Sequence, residues 1–212
     1  MSKTATYPAL LGDGQGRYRV HVVGNSGSGK TTTGIKIANI LGVPHISLDR
    51  LFWQPGWKET PKDEFEEKIR AALGQCERGW VVDGEYTRQG GLVAQAQATD
   101  VIWVDPPLLL YFPRIIIRTL LRLFNIGDPC SPGCGETIQS VFFSSDSILW
   151  WCLSNHWANR RKNIARMAKI GLVEGTDIER RRMRRIGGWG SELKRWIGEV
   201  ERLVHGTKQK VL

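Results

Sequence analysis

The sequence predicts an α/β fold in which a doubly wound parallel sheet lies between helices. Three observations predict it. Short Val- and Ile-rich runs alternate with helical periodicity, a glycine-rich loop of fixed spacing joins the first run to the first helix, and later runs end on aspartate. The 212 residues fit one domain. A content of 41% hydrophobic and 24% charged residues excludes a disordered or fibrous chain. Residues 1–17, rich in glycine, read as a mobile tail ahead of a single domain over 18–212.

The elements follow in order. Tyr18 to Val23 forms the first strand, and Thr31 to Leu41 a helix stopped by Gly42 and Pro44. His45 to Leu48 is a short strand ending in Asp49. Thr60 caps a helix with Pro61 in its first turn and Phe65, Ile69 and Leu73 on one face. Trp80 to Val82 and Val101 to Val104 are strands ending in Asp83 and Asp105. In a parallel sheet ligands collect beyond the carboxyl ends of strands, so these aspartates are drawn to one edge. Leu108 to Phe124 has helical spacing, with Pro113 setting a start near Arg114. Arg182 to Ile186 is the last strand. Ser191 to Val204 is a helix that turns Leu193, Trp196, Ile197, Val200, Leu203 and Val204 inward.

The chemistry is concentrated in Gly24-Asn25-Ser26-Gly27-Ser28-Gly29-Lys30-Thr31, followed by Thr32, a full match to G-x-x-x-x-G-K-[ST]. Glycines let the backbone curl so that successive N–H groups converge on phosphate oxygens, and the following helix adds its positive end. Lys30 then reaches the β- and γ-phosphates, and the Thr31 hydroxyl joins the shell of a Mg²⁺ ion. A strand before and a helix after give this motif its context. The expected ligands are ATP and Mg²⁺.

With GNSGSGKTT, ISLDRLFWQPGW, WVVDGEYTR and VIWVDPP in place, the chain resembles P-loop kinases of the adenylate-kinase-like group. It is most similar to topology-modulation (FlaR-type) and adenylate-kinase-related proteins. The resemblance implies a three-layer α/β/α core with an inserted helical lid, at about 111–166. It implies that Asp83 organises the metal with Thr31, and that Asp49 faces the phosphoryl acceptor. The run Asp83 to Arg88 is similar to the DG-x-PR turn of adenylate kinases, with Tyr86 where those have Pro. Phe52, Trp53, Pro55 and Trp57 follow Asp49, either as an acceptor pocket or as a hydrophobic plug over the next helix.

Charge is divided unevenly: residues 1–105 hold 12 basic and 12 acidic side chains, whereas residues 106–212 hold 18 and 9, which accounts for the net +9. Arg114, Arg118 and Arg122 are four apart on one helical stripe, and Arg118 and Arg122 are the expected phosphate contacts. Asn125 to Glu136 has the Gly/Pro content of a lid loop, with His156, Asn159, Arg160, Arg161 and Arg166 on the returning helix. Cys130, Cys134, Cys152 and His156 form an alternative zinc set of loose spacing. The expected partner is a small acceptor. A second reading has the basic half, chiefly Arg180 to Arg185, act on nucleic acid. The absence of a long apolar run and of a dense cysteine pattern points to a soluble cytoplasmic protein without membrane insertion. Oligomeric state leaves no trace in the sequence.

Overall fold

The computed structural model describes residues 7–124, 131–134 and 148–208. Five strands form one sheet, β1 (Tyr18–Val23), β2 (His45–Ser47), β5 (Gly79–Asp83), β6 (Asp100–Asp105) and β7 (Met183–Gly187), in the order β2-β5-β1-β6-β7. Every pairing is parallel, with Val20 opposite Val81 and Trp103 opposite Arg185. The central strands carry apolar side chains on both faces, as a sheet covered on both sides requires. One face packs Val20, Val22 and Val81 against Ile37 of α1 (Lys30–Leu41) and Trp196, Ile197 and Val200 of α7 (Ser191–Lys208). The other packs Val82, Val101 and Trp103 against Phe65, Ile69 and Leu73 of α3 (Lys62–Gly74) and Ile170 of α6 (Ile148–Ile170). The periodic faces read from the sequence for α3 and α7 are therefore the buried ones.

Local departures from the expected elements have identifiable causes. Asp49 does not end a strand: β2 stops at Ser47 and α2 (Leu48–Phe52) begins at once, because Leu48 and Phe52 bury on the same side. After α2 the chain forms a hairpin, β3 (Trp53–Gln54) against β4 (Lys58–Glu59). Thr60 does not cap α3. Its Oγ1 is 2.7 Å from the Phe52 carbonyl, closing the base of this hairpin, and Pro61 stands in front of the helix. Near the middle of the chain a short α4 (Leu92–Gln97) precedes β6.

Helix α5 spans Leu108–Leu123, one turn and more ahead of the start that Pro113 suggests. Pro113 lies inside it and lacks the N–H that would bond to Leu109. Leu109 is 79% exposed and Pro113 also faces solvent, so water serves the orphaned carbonyl.

The amino-terminal segment is not a mobile tail over residues 7–17. Ala9 and Leu10 are buried against the sheet, Trp196 Nε1 donates to Ala9 O at 3.0 Å, and Asp100 accepts from Leu11 N and Gly12 N. No helix among the described residues is long and apolar enough to cross a membrane.

Candidate functional site

The loop between β1 and α1 adopts a curled path in which Gly24, Gly27 and Gly29 have φ of 151°, 73° and 92°. Two of these positions are also closed to a side chain. A Cβ on Gly24 would meet Val104 O, and one on Gly27 would collide with Ile115 of α5. Ser28 N closes the turn onto Asn25 O at 3.2 Å. No side chain caps α1, which leaves its first-turn N–H groups directed at the loop's concavity. Lys30 opens the helix half-buried, and Thr31 and Thr32 beside it are exposed.

Asp83, at the end of β5, is the deepest charge of the site at 1% exposure. Burial alone would push its carboxyl up, but His45, Lys30 and Thr31 together hold it below the ordinary aspartate value. His45 Nε2 stands 3.8 Å from Oδ1, and neither Asp83 oxygen has a hydrogen-bond partner among the described residues. A buried, ionised and unbonded carboxylate beside a threonine hydroxyl suits a Mg²⁺ ion, which keeps several waters and takes one or two protein oxygens plus phosphates. Among the described residues there is no larger His, Cys, Asp or Glu cluster able to hold a metal by itself.

The other two aspartates expected at strand ends have different fates. Asp49, in the first turn of α2, accepts a 2.7 Å hydrogen bond from the Tyr86 hydroxyl. Tyr86 is thus the residue that holds Asp49. Asp105 is taken up by Arg160 at 3.3 Å and Arg185 at 2.7 Å, and so ties α6 and β7 to β6. The aromatic residues after Asp49 form a packed cluster. Phe52 lies 4.5 Å from Tyr86, 5.1 Å from Phe65 and 4.9 Å from Trp53, ring to ring. That geometry is the plug over α3, with Phe52 and Phe65 wholly buried.

Arg118 is half-buried on α5, and its charge acts on Cys152 of α6, whose thiol lies 3.8 Å from Ser26 O in the loop. Arg122 is half-buried in the last turn of α5. The returning helix is pinned from below. Glu85, just after the Asp83-Gly84 turn, meets Lys162 at 3.0 Å and Arg166 at 3.1 Å and accepts from Asn163 at 3.1 Å. Burial opposes its charge, but Arg166 and Lys162 keep its carboxyl below the usual range. Of the stretch Asn125 to Glu136, expected to be a lid loop, only residues 131–134 are described, and these dock on the hairpin. Ser131 Oγ donates to Trp53 O at 2.9 Å, Gly56 N to Gly133 O at 3.0 Å, and Cys134 Sγ lies 3.3 Å from Gln54 O. Cys130 lies outside the described residues. Cys134 sits at the hairpin, whereas Cys152 and His156 face the phosphate loop and Tyr111, so Cys134 is engaged apart from the other two.

The basic block of residues 180–185 has intramolecular work. Arg181 donates to Gly175 O, Arg182 to Ala98 O and Arg184 to Pro8 O, while Arg180 pairs with Asp177. Arg185 stacks over Trp103 at 5.1 Å as it binds Asp105.

His21 was not singled out in the sequence, although a histidine inside a Val-rich strand is a visible irregularity. It is 2% exposed, and its Nε2–H donates to Gly84 O at 2.8 Å, which holds the turn after Asp83. Burial pushes its imidazole below the ordinary value. A depressed histidine contributes stability above about pH 6.5 that is lost as pH falls through its folded value. Glu85 and Asp83, also depressed, add a second loss below the ordinary carboxylate range. The melting temperature is accordingly expected to fall in two stages on acidification. In His21→Gln, which keeps a donor for Gly84 O, the upper stage shrinks; an unchanged profile in a pH series of thermal melts would contradict the assignment.

No protein-family model and no curated protein sequence matches the chain. Among solved structures it is similar to a gluconokinase from Sinorhizobium meliloti 1021, at 16% identity over 92% of this chain and 98% of that one, with a TM-score of 0.47. It is likewise similar to a shikimate kinase from Bacteroides thetaiotaomicron, at 16% identity over 90% and 98%, TM-score 0.48. A sugar kinase from Janibacter sp. HTCC2649 matches at 16% identity over 89% and 93%, TM-score 0.45. The core of this chain is a five-stranded parallel sheet with the glycine-rich loop between its central strand and α1. Its phosphate loop follows the central strand, with Asp83 on the neighbouring strand end.

Proposed function

We propose that the protein is an ATP-dependent phosphotransferase that moves the γ-phosphoryl group to a hydroxyl of a small acceptor. The observation that carries this reading is the meeting of Lys30 and Thr31 with the buried, unbonded Asp83 carboxylate at the mouth of the phosphate loop. Loop N–H groups, Lys30 and Thr31 bind the triphosphate, and Thr31 with Asp83 holds the Mg²⁺ side. The ion, when bound there, would supply neutralisation of phosphate charge. Asp49, fixed through Oδ1 by Tyr86, receives the acceptor hydroxyl and takes its proton as the oxygen–phosphorus bond forms and ADP leaves. Arg118 and Arg122 neutralise charge on the transferring group from α5. The stretch 111–166 acts as the lid that excludes water. This assigns the chain to the adenylate-kinase-related, FlaR-type group, acting in the cytoplasm on a nucleotide, a nucleoside or another small hydroxy compound.

The test is acceptor-dependent ADP release across a panel of nucleotides, nucleosides and small hydroxy compounds. At least one acceptor is expected to raise the rate above that of ATP alone; if none does, transfer is not the function. With that acceptor, Asp49→Asn is expected to retain ATP binding and to lose about 10²–10⁴-fold in kcat, the usual worth of a positioned base. Transfer at the wild-type rate would remove Asp49 from the acceptor site.

A further inference from the structure

The side chain of Asn25 reaches between helices α5 and α6. It is 9% exposed, and its Nδ2 donates to the Tyr111 hydroxyl of α5 at 2.8 Å and to Cys152 O of α6 at 3.2 Å. Its Oδ1 accepts from Asn159 Nδ2 at 3.1 Å. The Tyr111 oxygen in turn lies 2.6 Å from His156 Nδ1. Donor rules give this chain a direction. A carbonyl oxygen only accepts, so the Asn25 amide nitrogen must face Cys152 O and Tyr111, and the tyrosine oxygen accepts from it. The single phenolic proton can then go to His156 when its Nδ1 is an unprotonated acceptor. Burial raises the Tyr111 hydroxyl's pKa, so it stays a donor.

We propose that Asn25, Tyr111 and His156 are positioning residues that couple the phosphate loop to helices α5 and α6, and that protonation of His156 uncouples them. The inference rests on residues 24–31 being the nucleotide site. A protonated Nδ1 presents an N–H to a tyrosine oxygen already engaged by Asn25, and the phenolic proton loses its acceptor. The groups facing His156 are Tyr111 from α5, Asp105 from β6, and Arg160 with the edge of Trp157 from α6. Burial and Arg160 lower the histidine's pKa against the pull of Asp105, so the uncoupled state is confined to pH below about 6.5.

Calorimetric titration of the full chain with ATP and Mg²⁺ from pH 8 to pH 5.5 tests the coupling. Tyr111→Phe leaves the buried Asn25 amide short of a partner and is expected to weaken ATP binding about 5- to 30-fold at pH 8. His156→Asn, which offers an amide oxygen in place of Nδ1, is expected to bind with a flatter pH profile than wild type. Protonation of the γ-phosphate is common to both proteins, so the ratio of their affinities is the readout. Thermal melts establish that each variant is folded. Binding by folded Tyr111→Phe within twofold of wild type, or a wild-type-to-His156→Asn ratio constant with pH, overturns the coupling. Failure of the wild type itself to bind ATP at pH 8 overturns the nucleotide site instead.

Discussion

Lys30→Ala is expected to abolish measurable phosphoryl transfer, lowering acceptor-dependent ADP release by at least about 10²–10³-fold. In the proposed function the ammonium group is the one side-chain charge that the loop itself offers to the β- and γ-phosphates. It stands at the head of α1, close enough to act on both Asp83 and Cys152. Its removal takes positive charge from the place where negative charge moves during transfer, and no neighbouring arginine lies on the same loop. Because Lys30 is half-buried at a helix terminus and not packed into either face of the core, folding should be retained. Far-UV circular dichroism and a melting temperature within a few degrees of wild type accompany the expected loss. A variant that is folded and turns over at a tenth of the wild-type rate or better would show that the loop binds nucleotide without Lys30 taking part in transfer.

Glu85→Ala carries the largest expected effect on stability. The carboxylate has 10% of its side-chain surface exposed and meets Arg166, itself 11% exposed, at 3.1 Å. Removing one member of a buried pair leaves the other charge without compensation, at a cost of about 3–5 kcal/mol. For a domain of this size that corresponds to a fall in melting temperature of roughly 6–20 °C. Lys162 is more exposed, at 38%, and regains water in the variant. The loss therefore falls on Arg166 and on Asn163, which donates to the same carboxylate. In the double variant Glu85→Ala with Arg166→Met the deficit should be much smaller, since the stranded charge is gone. Equal deficits in the single and double variants would mean that the pair is screened and that α6 is held by packing alone.

Much of the fold was legible because it depends on local patterns. A parallel sheet covered on both faces demands near-continuous apolar strands, and Trp80 to Val82 and Val101 to Val104 supply them. The helical faces of α3 and α7 repeat within a few residues, so Phe65, Ile69 and Leu73, or Trp196, Ile197 and Val200, are visible without a partner. The phosphate loop is legible for a similar reason, since its chemistry is carried by consecutive residues.

What misled was local signal overridden by neighbours. Thr60-Pro61 is a helix-start pattern, but the threonine hydroxyl finds Phe52 O across the hairpin. Pro113 suggested a helix start, yet its missing hydrogen bond falls on a solvent face where it costs little. For the arginine block of residues 180–185 the local sequence shows only charge, whereas packing brings Arg182, Arg184 and Arg185 to two carbonyls and an acid far away in the chain.

The sequence by itself determined the layered α/β class, the place of the glycine-rich loop after the first strand, and the apolar faces of α3 and α7. All three follow from periodicity and from contiguous residues. Only the tertiary structure decided which aspartate is available to the site. Asp83 is left buried and unbonded, Asp49 is held by a tyrosine 37 residues away, and Asp105 is neutralised by arginines 55 and 80 residues away. The same holds for Asn25, whose partners at Tyr111 and Asn159 lie 86 and 134 residues further on. The physical reason is that a carboxylate or an amide acquires its role from the donors, acceptors and solvent around it, and those are brought together only when the chain is packed.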